Sequence, residues 1–258
     1  LFKPNMILMV PLMIETFAKK LEDVKDLPEK VVKEAVFGSQ FHTICSGGAY
    51  LNPEYIELFE RFGIQILQGY GMTECSPVIS TTVAWNVKKN SVGQLLPNCE
   101  AKTVDGELWV RGSSVMQGYY KMPEETKTAL KDGWLCTGDL GYVDEERFIY
   151  LTGRKKNLII TKNGENVSPE ELENKLSSSR LVQEVLVREA KGVIEAEIYP
   201  DEEYAKKQGL EREEEVRVEL QKLIDEYNQG APAYKKIYSL IIREKEFEKT
   251  ASRKIKRY

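Results

Sequence analysis

The sequence predicts an α/β protein in which a large domain is followed by a small α+β domain, and three observations support this. Apolar runs alternate with helical patterns up to about residue 90, the hydrophobic period changes to two between about 91 and 153, and charge rises after Arg154. We therefore divide the large domain into an α/β part at 1–90 and a small antiparallel β subdomain at 91–154. The small α+β domain then occupies 155–258.

The first part of the chain alternates between strands and helices. Residues 6–10 form an apolar run that predicts a buried strand, and Pro11 then suits the first turn of an amphipathic helix that continues to Leu21. A second helix is expected to begin after the capping residue Asn52 and to end at Gly63.

Two further apolar runs each lead into a glycine-rich loop. The run at 43–45 precedes the loop at 46–49, and the run at 64–67 precedes the loop at 68–74. Apolar strands of this kind are typical of a parallel sheet, in which ligands bind beyond the carboxyl ends of the strands. We expect a ligand site formed by these two loops.

Two hairpins are predicted in the β subdomain. The pair Asp105-Gly106 separates strands at 100–104 and 107–110, which is a strong hairpin signal. Strands at 142–143 and 148–150 suggest a second hairpin, with its turn at 144–147.

The last hundred or so residues have the pattern of a compact α+β domain. A helix is expected to begin at Ser168 with a capping box that pairs this serine with Glu171. Strands follow at 182–188 and 193–199, then a charged helix at about 211–227 and a strand at 237–242.

Composition excludes several classes of protein. The 41 acidic and 37 basic residues give a net charge of −4 and are interspersed, so we expect no nucleic-acid partner. The four cysteines contain no C-x-x-C pair, which favours a reducing cytoplasmic location. The apolar run at 6–14 is too short to span a bilayer, whereas peripheral membrane contact stays open and the oligomeric state is not indicated.

Seven motifs in order suggest a family. They are SGGAYL at 46–51, QGYGMTE at 68–74, GELWVRG at 106–112, GWLCTGDLG at 133–141, GRKKNLII at 153–160, GENVSPEELE at 164–173 and KTASRKIKR at 249–257. In order and spacing they resemble the adenylate-forming (AMP-binding) superfamily of acyl-CoA synthetases, luciferases and peptide-synthetase adenylation domains. The segment between Arg154 and Gly164 is one residue longer than in many small-acid ligases, and in this it looks most like long-chain fatty acyl-CoA synthetases.

The resemblance implies a two-step reaction. A carboxylate, most simply a fatty acid, would attack the α-phosphate of Mg·ATP to give an acyl adenylate, and the thiol of CoA would then displace AMP. The implied cofactors are ATP, Mg²⁺ and CoA, and the implied partners are these small molecules and the acid.

The resemblance also places a nucleotide site. Asp139 would accept hydrogen bonds from the two ribose hydroxyls, each worth about 1.5 to 3 kcal/mol because the acceptor is charged. Tyr70 would lie against the adenine, and Arg154 would contact the ribose or a phosphate. Without the family, an aspartate between glycines would read as a turn residue. The full set implied for the nucleotide is Gly47, Gly48, Ala49, Gln68, Gly69, Tyr70, Gly71, Met72, Thr73, Asp139 and Arg154.

Catalytic roles are implied for three residues. Thr73 would contact a phosphate and Glu74 would bind Mg²⁺, which takes few carboxylates and keeps phosphate oxygens as ligands. Lys254 falls on the position of a lysine that bridges the substrate carboxylate and the α-phosphate. Here the terminal motif departs from the family, because Glu248 replaces a proline and Arg253 a glycine; a solvated basic tail is the alternative reading.

Three more residues have implied roles in the second step. Lys156 falls on the hinge about which the small domain turns, and Lys162 and Gly164 would face CoA. A role of Lys162 near the nucleotide stays open, because the extra residue shifts the register of this segment.

The serine-, threonine- and glycine-rich loop that wraps the β- and γ-phosphates in this family does not occur in the sequence, which begins with Leu1. We therefore expect this chain to be the C-terminal half of a ligase and inactive by itself. Two alternatives stay open, namely an adenylating enzyme that serves a carrier protein and a catalytically degenerate nucleotide-binding relative.

Overall fold

The computed structural model describes residues 3–24, 26–250 and 254–257. The chain divides into two compact units, Leu1–Leu151 and Thr152–Tyr258. The predicted division after residue 154 lies close to this boundary.

The first sheet of the first unit has five strands in sequence order: β1 (Met6–Met9), β2 (Thr43–Gly47), β3 (Gln65–Gly71), β4 (Val78–Thr81) and β5 (Gln94–Leu95). Strands β1, β2 and β3 are parallel, as predicted, but β4 and β5 are antiparallel to their neighbours. The sheet is therefore mixed, because the chain reverses directly after β3 without a crossover helix.

Three helices accompany this sheet: α1 (Pro11–Glu22), α2 (Glu29–Val36) and α3 (Pro53–Arg61). The predicted cap is confirmed, since Asn52 Oδ1 accepts a 3.0 Å hydrogen bond from the Glu54 backbone N–H. Gly63 follows α3 with φ of 65°, a conformation that glycine adopts without steric cost. Ile14, Leu21, Ile44, Phe59, Ile64 and Ile66 belong to the buried core of this part.

Strand β1 corrects one prediction, because it is not buried. Leu8 is 79% exposed and Met6 and Ile7 are also exposed, whereas Met9 is buried. Among the described strands β1 pairs with β2 alone and so forms an edge of the sheet. An apolar run by itself does not distinguish an edge strand from a central one.

A second sheet follows the first. Its strands are β6 (Cys99–Val104), β7 (Glu107–Gly112), β8 (Leu130–Lys131), β9 (Trp134–Val143) and β10 (Ile149–Arg154), in the order β10-β9-β7-β6 with β8 on β9, and α4 (Pro123–Ala129) precedes β8. Both predicted hairpins are confirmed: Asp105 and Gly106 turn between β6 and β7 with positive φ, and the second turn joins β9 to β10.

The second unit has a sheet of three strands. The elements of this unit are β11 (Ile159–Ile160), β12 (Asn166–Val167), α5 (Pro169–Leu176), β13 (Val182–Ala190), β14 (Val193–Pro200), α6 (Glu202–Lys207), α7 (Glu213–Gly230) and β15 (Ile237–Ile242). Strands β13, β14 and β15 form the three-stranded sheet, and β11 pairs with β12. Strand β14 is central, antiparallel to β13 and parallel to β15. Val167, Leu172, Leu176, Ala196, Ile198 and Leu220 are fully buried members of its core.

The capping box predicted at α5 is wrong. The Ser168 hydroxyl donates a 2.9 Å hydrogen bond to Glu170 Oε2 and makes no side-chain cap, and Glu171 pairs instead with Lys235 at 2.6 Å. Both side chains of the motif are thus engaged elsewhere. One half of such a motif occurs at the start of α7, where the Glu215 carboxylate accepts a hydrogen bond from the Arg212 backbone N–H at 3.1 Å.

Among the described helices, none combines the length and the apolar character that crossing a bilayer requires. All four cysteines are thiols rather than disulfides.

Candidate functional site

The carboxyl ends of β2 and β3 bring two of the predicted motifs side by side. Ser46 pairs with Gln68 and Gly47 with Gly69 across the parallel strands. A Cβ atom at Gly47 would lie 2.8 Å from the Gly69 carbonyl oxygen, so this register needs glycine. Gly47, the first of the predicted nucleotide residues Gly47, Gly48 and Ala49, therefore lies next to Gly69, and the other two follow it along the chain.

A third motif reaches the same place from β9. The Tyr70 hydroxyl donates a 2.7 Å hydrogen bond to Asp139 Oδ2. Both residues are only 8% exposed. The structure thus joins two predicted nucleotide residues directly, through a bond that the sequence reasoning missed, because no local pattern links positions 69 residues apart.

Backbone and side-chain hydrogen bonds fix the part of β9 that carries Asp139. Its N–H donates to Thr137 Oγ1 at 3.1 Å, and the Thr137 hydroxyl donates to the Leu108 carbonyl at 2.7 Å. The Gly138 N–H donates to Glu107 Oε1 at 2.9 Å. Glu107 is only 5% exposed, and a buried acid needs such a hydrogen-bond donor. The acid within the GELWVRG motif is the sequence signal that could have identified it as a supporting residue.

One polar atom near the strand ends is unsatisfied. Ser46 Oγ is buried and has no hydrogen-bond partner among the described residues. A buried hydroxyl left unpaired costs about 1 to 3 kcal/mol, and a polar ligand that reached it would recover this cost.

Thr73 and Glu74 lie on a short 3₁₀ turn, Thr73–Cys75, directly after β3. The hydroxyl of Tyr119 donates a 2.8 Å hydrogen bond to Glu74 Oε1. This bond is the main cause of a pKa for Tyr119 above its usual value of 10. No local pattern in the sequence indicates Tyr119, because it lies 45 positions further along the chain than Glu74.

The carboxylate of Glu74 suits a hard cation. Tyr119 fixes Oε1, and no donor among the described residues reaches Oε2. The described residues contain no group of three or more metal-ligating side chains. A Mg²⁺ ion here would be held by Glu74 together with nucleotide phosphates, which is a common arrangement for this ion.

The remaining predicted residues belong to the second unit. Arg154 is half-buried at the end of β10, and Lys156 is exposed in a 3₁₀ turn, Lys155–Asn157. The stem of the exposed Lys162 lies against Gly192, where a Cβ atom would be 1.9 Å from Lys162 Cε. Gly164 has φ of 80° in an open turn.

Lys254 is exposed, and its backbone is hydrogen-bonded to Thr250. The Thr250 N–H donates to the Lys254 carbonyl at 2.8 Å, and the Lys254 N–H donates to Thr250 Oγ1 at 3.2 Å. Glu248, which departs from the family pattern, accepts at its carbonyl from the Lys256 N–H at 2.9 Å. This bond joins Glu248 to Lys256, whereas the other departure, Arg253, lies outside the described residues.

Comparison with solved structures finds the same fold. The o-succinylbenzoate CoA synthetase of Bacillus subtilis, solved with its acyl-adenylate intermediate, matches 98% of this chain and 50% of its own chain, with a TM-score of 0.77 and 28% identity. The same enzyme solved with ATP and a magnesium ion matches with a TM-score of 0.74 over the same shares of the two chains.

Sequence relatives include ligases for different acids. The long-chain-fatty-acid–CoA ligase of Bacillus subtilis is 39% identical over 163 residues, which are 58% of this chain and 29% of the relative. The 4-coumarate–CoA ligase-like 4 of Oryza sativa is 42% identical over 165 residues, which are 57% of this chain and 30% of the relative. The aligned part of this chain therefore covers less than a third of the length of either relative.

Two family models cover most of the sequence. The model of AMP-binding enzymes matches residues 2–120, and the model of the C-terminal domain of AMP-binding enzymes matches residues 156–258. These matches take in both units, and the chain belongs to the family of AMP-binding, adenylate-forming enzymes.

Proposed function

We propose that the protein containing this chain activates a fatty acid with Mg·ATP and passes the acyl group to CoA. The observation that carries the proposal is the Tyr70–Asp139 hydrogen bond beside the glycine-rich ends of β2 and β3, which places a charged acceptor next to an aromatic ring. The solved relative that binds an acyl-adenylate, and in another structure ATP with magnesium, supports this reading.

In the first step Asp139 accepts the ribose hydroxyls, while the Tyr70 hydroxyl fixes the carboxylate and its ring faces the adenine. Main-chain atoms of the loops at 47–49 and 68–72 surround the base, and Arg154 contacts the ribose or a phosphate. Backbone groups suit a flat base because glycine permits close approach.

Three groups contact the phosphates in this proposal: the Thr73 hydroxyl, a Mg²⁺ ion and the Lys254 side chain. Thr73 would donate to a phosphate oxygen, and Glu74 would hold Mg²⁺, which would supply positive charge beside the phosphates. Lys254 bridges the acid and the α-phosphate during attack. Loss of such a preorganised charge typically costs about 10² to 10³ in rate.

In the second step Lys156 serves as the hinge, and Lys162 and Gly164 face the CoA thiol.

The unbridged state of all four cysteines supports a cytoplasmic location, where thiols stay reduced.

The test is acid-dependent ATP–pyrophosphate exchange by the full-length protein. A fatty acid, o-succinylbenzoate and 4-coumarate are compared as acids, and CoA and a phosphopantetheinyl carrier protein as acceptors. We expect exchange with the fatty acid, transfer to CoA, and loss of exchange in Lys254→Ala but not in the exposed control Lys245→Ala.

Each other outcome would contradict part of the proposal. Exchange with an aromatic acid alone excludes the fatty acid, transfer to the carrier alone excludes CoA, and no exchange with any acid supports a degenerate relative. The 258-residue chain alone is expected to release no more pyrophosphate than its Lys254→Ala variant.

A further inference from the structure

The segment that carries Lys254 is held at both ends within the second unit. We call the described residues 247–250 and 254–257 the terminal strap. At its start the buried Phe247 donates its backbone N–H to Glu184 Oε2 at 2.8 Å, and Lys249 forms ion pairs with Glu184 and Glu246. This end is thereby attached to β13.

The other end is held by an arginine. Arg257 Nη1 and Nη2 donate to Glu173 Oε1 and Oε2 at 2.9 and 2.5 Å, a bidentate pair. The Glu173 side chain is 12% exposed and that of Arg257 is 19% exposed. Oε1 of Glu173 also accepts a 2.7 Å bond from the Val187 N–H, so α5, β13 and the strap meet at one carboxylate.

A second carboxylate extends this contact toward the proposed hinge. Arg257 Nη2 lies 3.3 Å from Glu170 Oε1. The same Glu170 oxygen accepts from Asn157 Nδ2, and its other oxygen accepts from Ser168. Asn157 is the residue next to Lys156, so a continuous chain of polar contacts joins the hinge turn to the strap.

Solvent exposure differs among the ion pairs of the strap. The pair Arg257–Glu173 is mostly buried and bidentate, and such a pair is stronger and more specific in direction than an exposed ion pair. The strap's own side-chain pair, Lys256–Glu248, is exposed at 3.3 Å. Of these two ion pairs, the one formed by Arg257 is therefore better able to fix the direction of the backbone near Lys254.

We propose that Arg257 is a positioning residue for Lys254, which it holds in a fixed place relative to α5 and the hinge turn through Glu173 and Glu170. The proposal rests on the catalytic role proposed for Lys254. Its physical reason is that a displacement of about 1 Å in a catalytic group can cost about 100-fold in rate. The small unit would then carry the lysine as one body when the hinge turns.

Hydrogen exchange of the 258-residue chain tests the anchor without catalysis. In Arg257→Ala we expect at least tenfold faster amide exchange in the peptide that covers the strap, with the peptides of α7 and β14 unchanged. In Arg257→Lys, which keeps the charge but not the bidentate geometry, the exchange rate of the strap should lie between those of the parent and Arg257→Ala. Arg217→Ala is the control, because it removes an arginine from an exposed pair with Glu213 in the same unit. Unchanged exchange in the strap, or faster exchange throughout the unit, would overturn the proposal.

Kinetics of the full-length protein test the consequence. Arg257→Ala should lower kcat for pyrophosphate exchange about 10- to 100-fold and leave the KM for ATP within about twofold, with partial recovery in Arg257→Lys. If Lys254→Ala abolishes exchange but Arg257→Ala does not lower kcat, the positioning role fails and the proposed function stands. If Lys254→Ala keeps full activity, the proposed role of the lysine fails, and Arg257 has no catalytic lysine to position.

Discussion

The Tyr70 hydroxyl donates a 2.7 Å hydrogen bond to the carboxylate of Asp139, and both side chains are almost completely buried. A tyrosine at the end of a strand in the first sheet thus fixes an aspartate on a strand of the second sheet. In the proposed nucleotide site this pair would offer an aromatic face and a charged acceptor, and the hydrogen bond links the orientations of the two side chains.

Removal of the acceptor should weaken nucleotide binding. We expect Asp139→Ala in the full-length protein to raise the Kd for ATP by one to two orders of magnitude, about 1.4 to 2.8 kcal/mol, because the ribose loses a charged acceptor. Isothermal titration calorimetry measures this. Glu145→Ala, which removes an exposed acid from the turn between β9 and β10, is the control, and equal affinities in all three proteins would contradict the assignment.

Removal of the Tyr70 hydroxyl separates the ring from its hydrogen bond. Tyr70→Phe keeps the aromatic face but takes one donor from a buried carboxylate, so we expect the free energy of unfolding to fall by about 1 to 3 kcal/mol. Nucleotide affinity should fall less than in Asp139→Ala. Urea unfolding measures the first effect and calorimetry the second, with the exposed Tyr120→Phe as control. A free energy of unfolding equal to that of the parent would mean that the hydrogen bond contributes nothing to stability.

The Tyr119–Glu74 contact should affect the magnesium requirement. In Tyr119→Phe we expect the Mg²⁺ concentration for half-maximal exchange to rise about two- to tenfold, the equivalent of a hydrogen bond of about 0.5 to 1.5 kcal/mol. Magnesium titration of pyrophosphate exchange by the full-length protein measures this. Tyr120→Phe is again the control, and an unchanged requirement would separate Tyr119 from the metal.

The pKa of Tyr119 sets a pH window for the same effect. The bond to Glu74 raises this pKa above its usual value of 10, so the contribution of the bond is fully present below pH 10 and is lost as pH rises through the raised value. The difference between parent and Tyr119→Phe should therefore be constant from pH 7 to 9, about the range in which tyrosine stays protonated. A difference that disappeared below pH 9 would contradict this assignment.

Cys75, next to Glu74, should react slowly with thiol reagents. Burial raises the pKa of its thiol from 9.0 to about 11, with smaller contributions from Cys99 and Glu74. At pH 8 only about one molecule in a thousand would carry the reactive thiolate. Mass spectrometry should show Cys75 labelled at least about 100-fold more slowly in the native chain than in urea. Stability from this group is present below pH 9 and lost as pH rises through about 11.

Glycine 71 is expected to tolerate no side chain. A Cβ atom there would lie 1.9 Å from the Pro77 carbonyl oxygen, so Gly71→Ala should lower the free energy of unfolding by more than about 2 kcal/mol. Gly230→Ala is the matched control, because nothing lies within 4 Å of its added atom at the end of α7. There alanine should be neutral or stabilise by up to about 1 kcal/mol. Equal losses in the two variants would contradict the packing argument.

Patterns within short stretches of sequence determined most of the elements. The Asp105-Gly106 turn, the Asn52 cap and the strands around them depend on the backbone preferences of neighbouring residues, and the structure has them where they were predicted. The ordered motifs were enough to identify the family, since each carries residue types that its local turn requires.

Contacts between distant residues could not be predicted in this way. The exposure of β1 depends on which strands pair beside it, and the failed capping box depends on Glu170 and Lys235 competing for its two side chains. Tyr119 on Glu74 and Arg257 on Glu173 join positions far apart along the chain.

The sequence by itself therefore determined the family, the order of the elements and the residues to consider. Only the tertiary structure decided what those residues contact: Asp139 contacts Tyr70, Glu74 contacts Tyr119, and the strap of Lys254 contacts α5 through Arg257. The physical reason is that secondary structure depends on preferences within a few residues, whereas hydrogen bonds between side chains depend on how whole strands and helices pack.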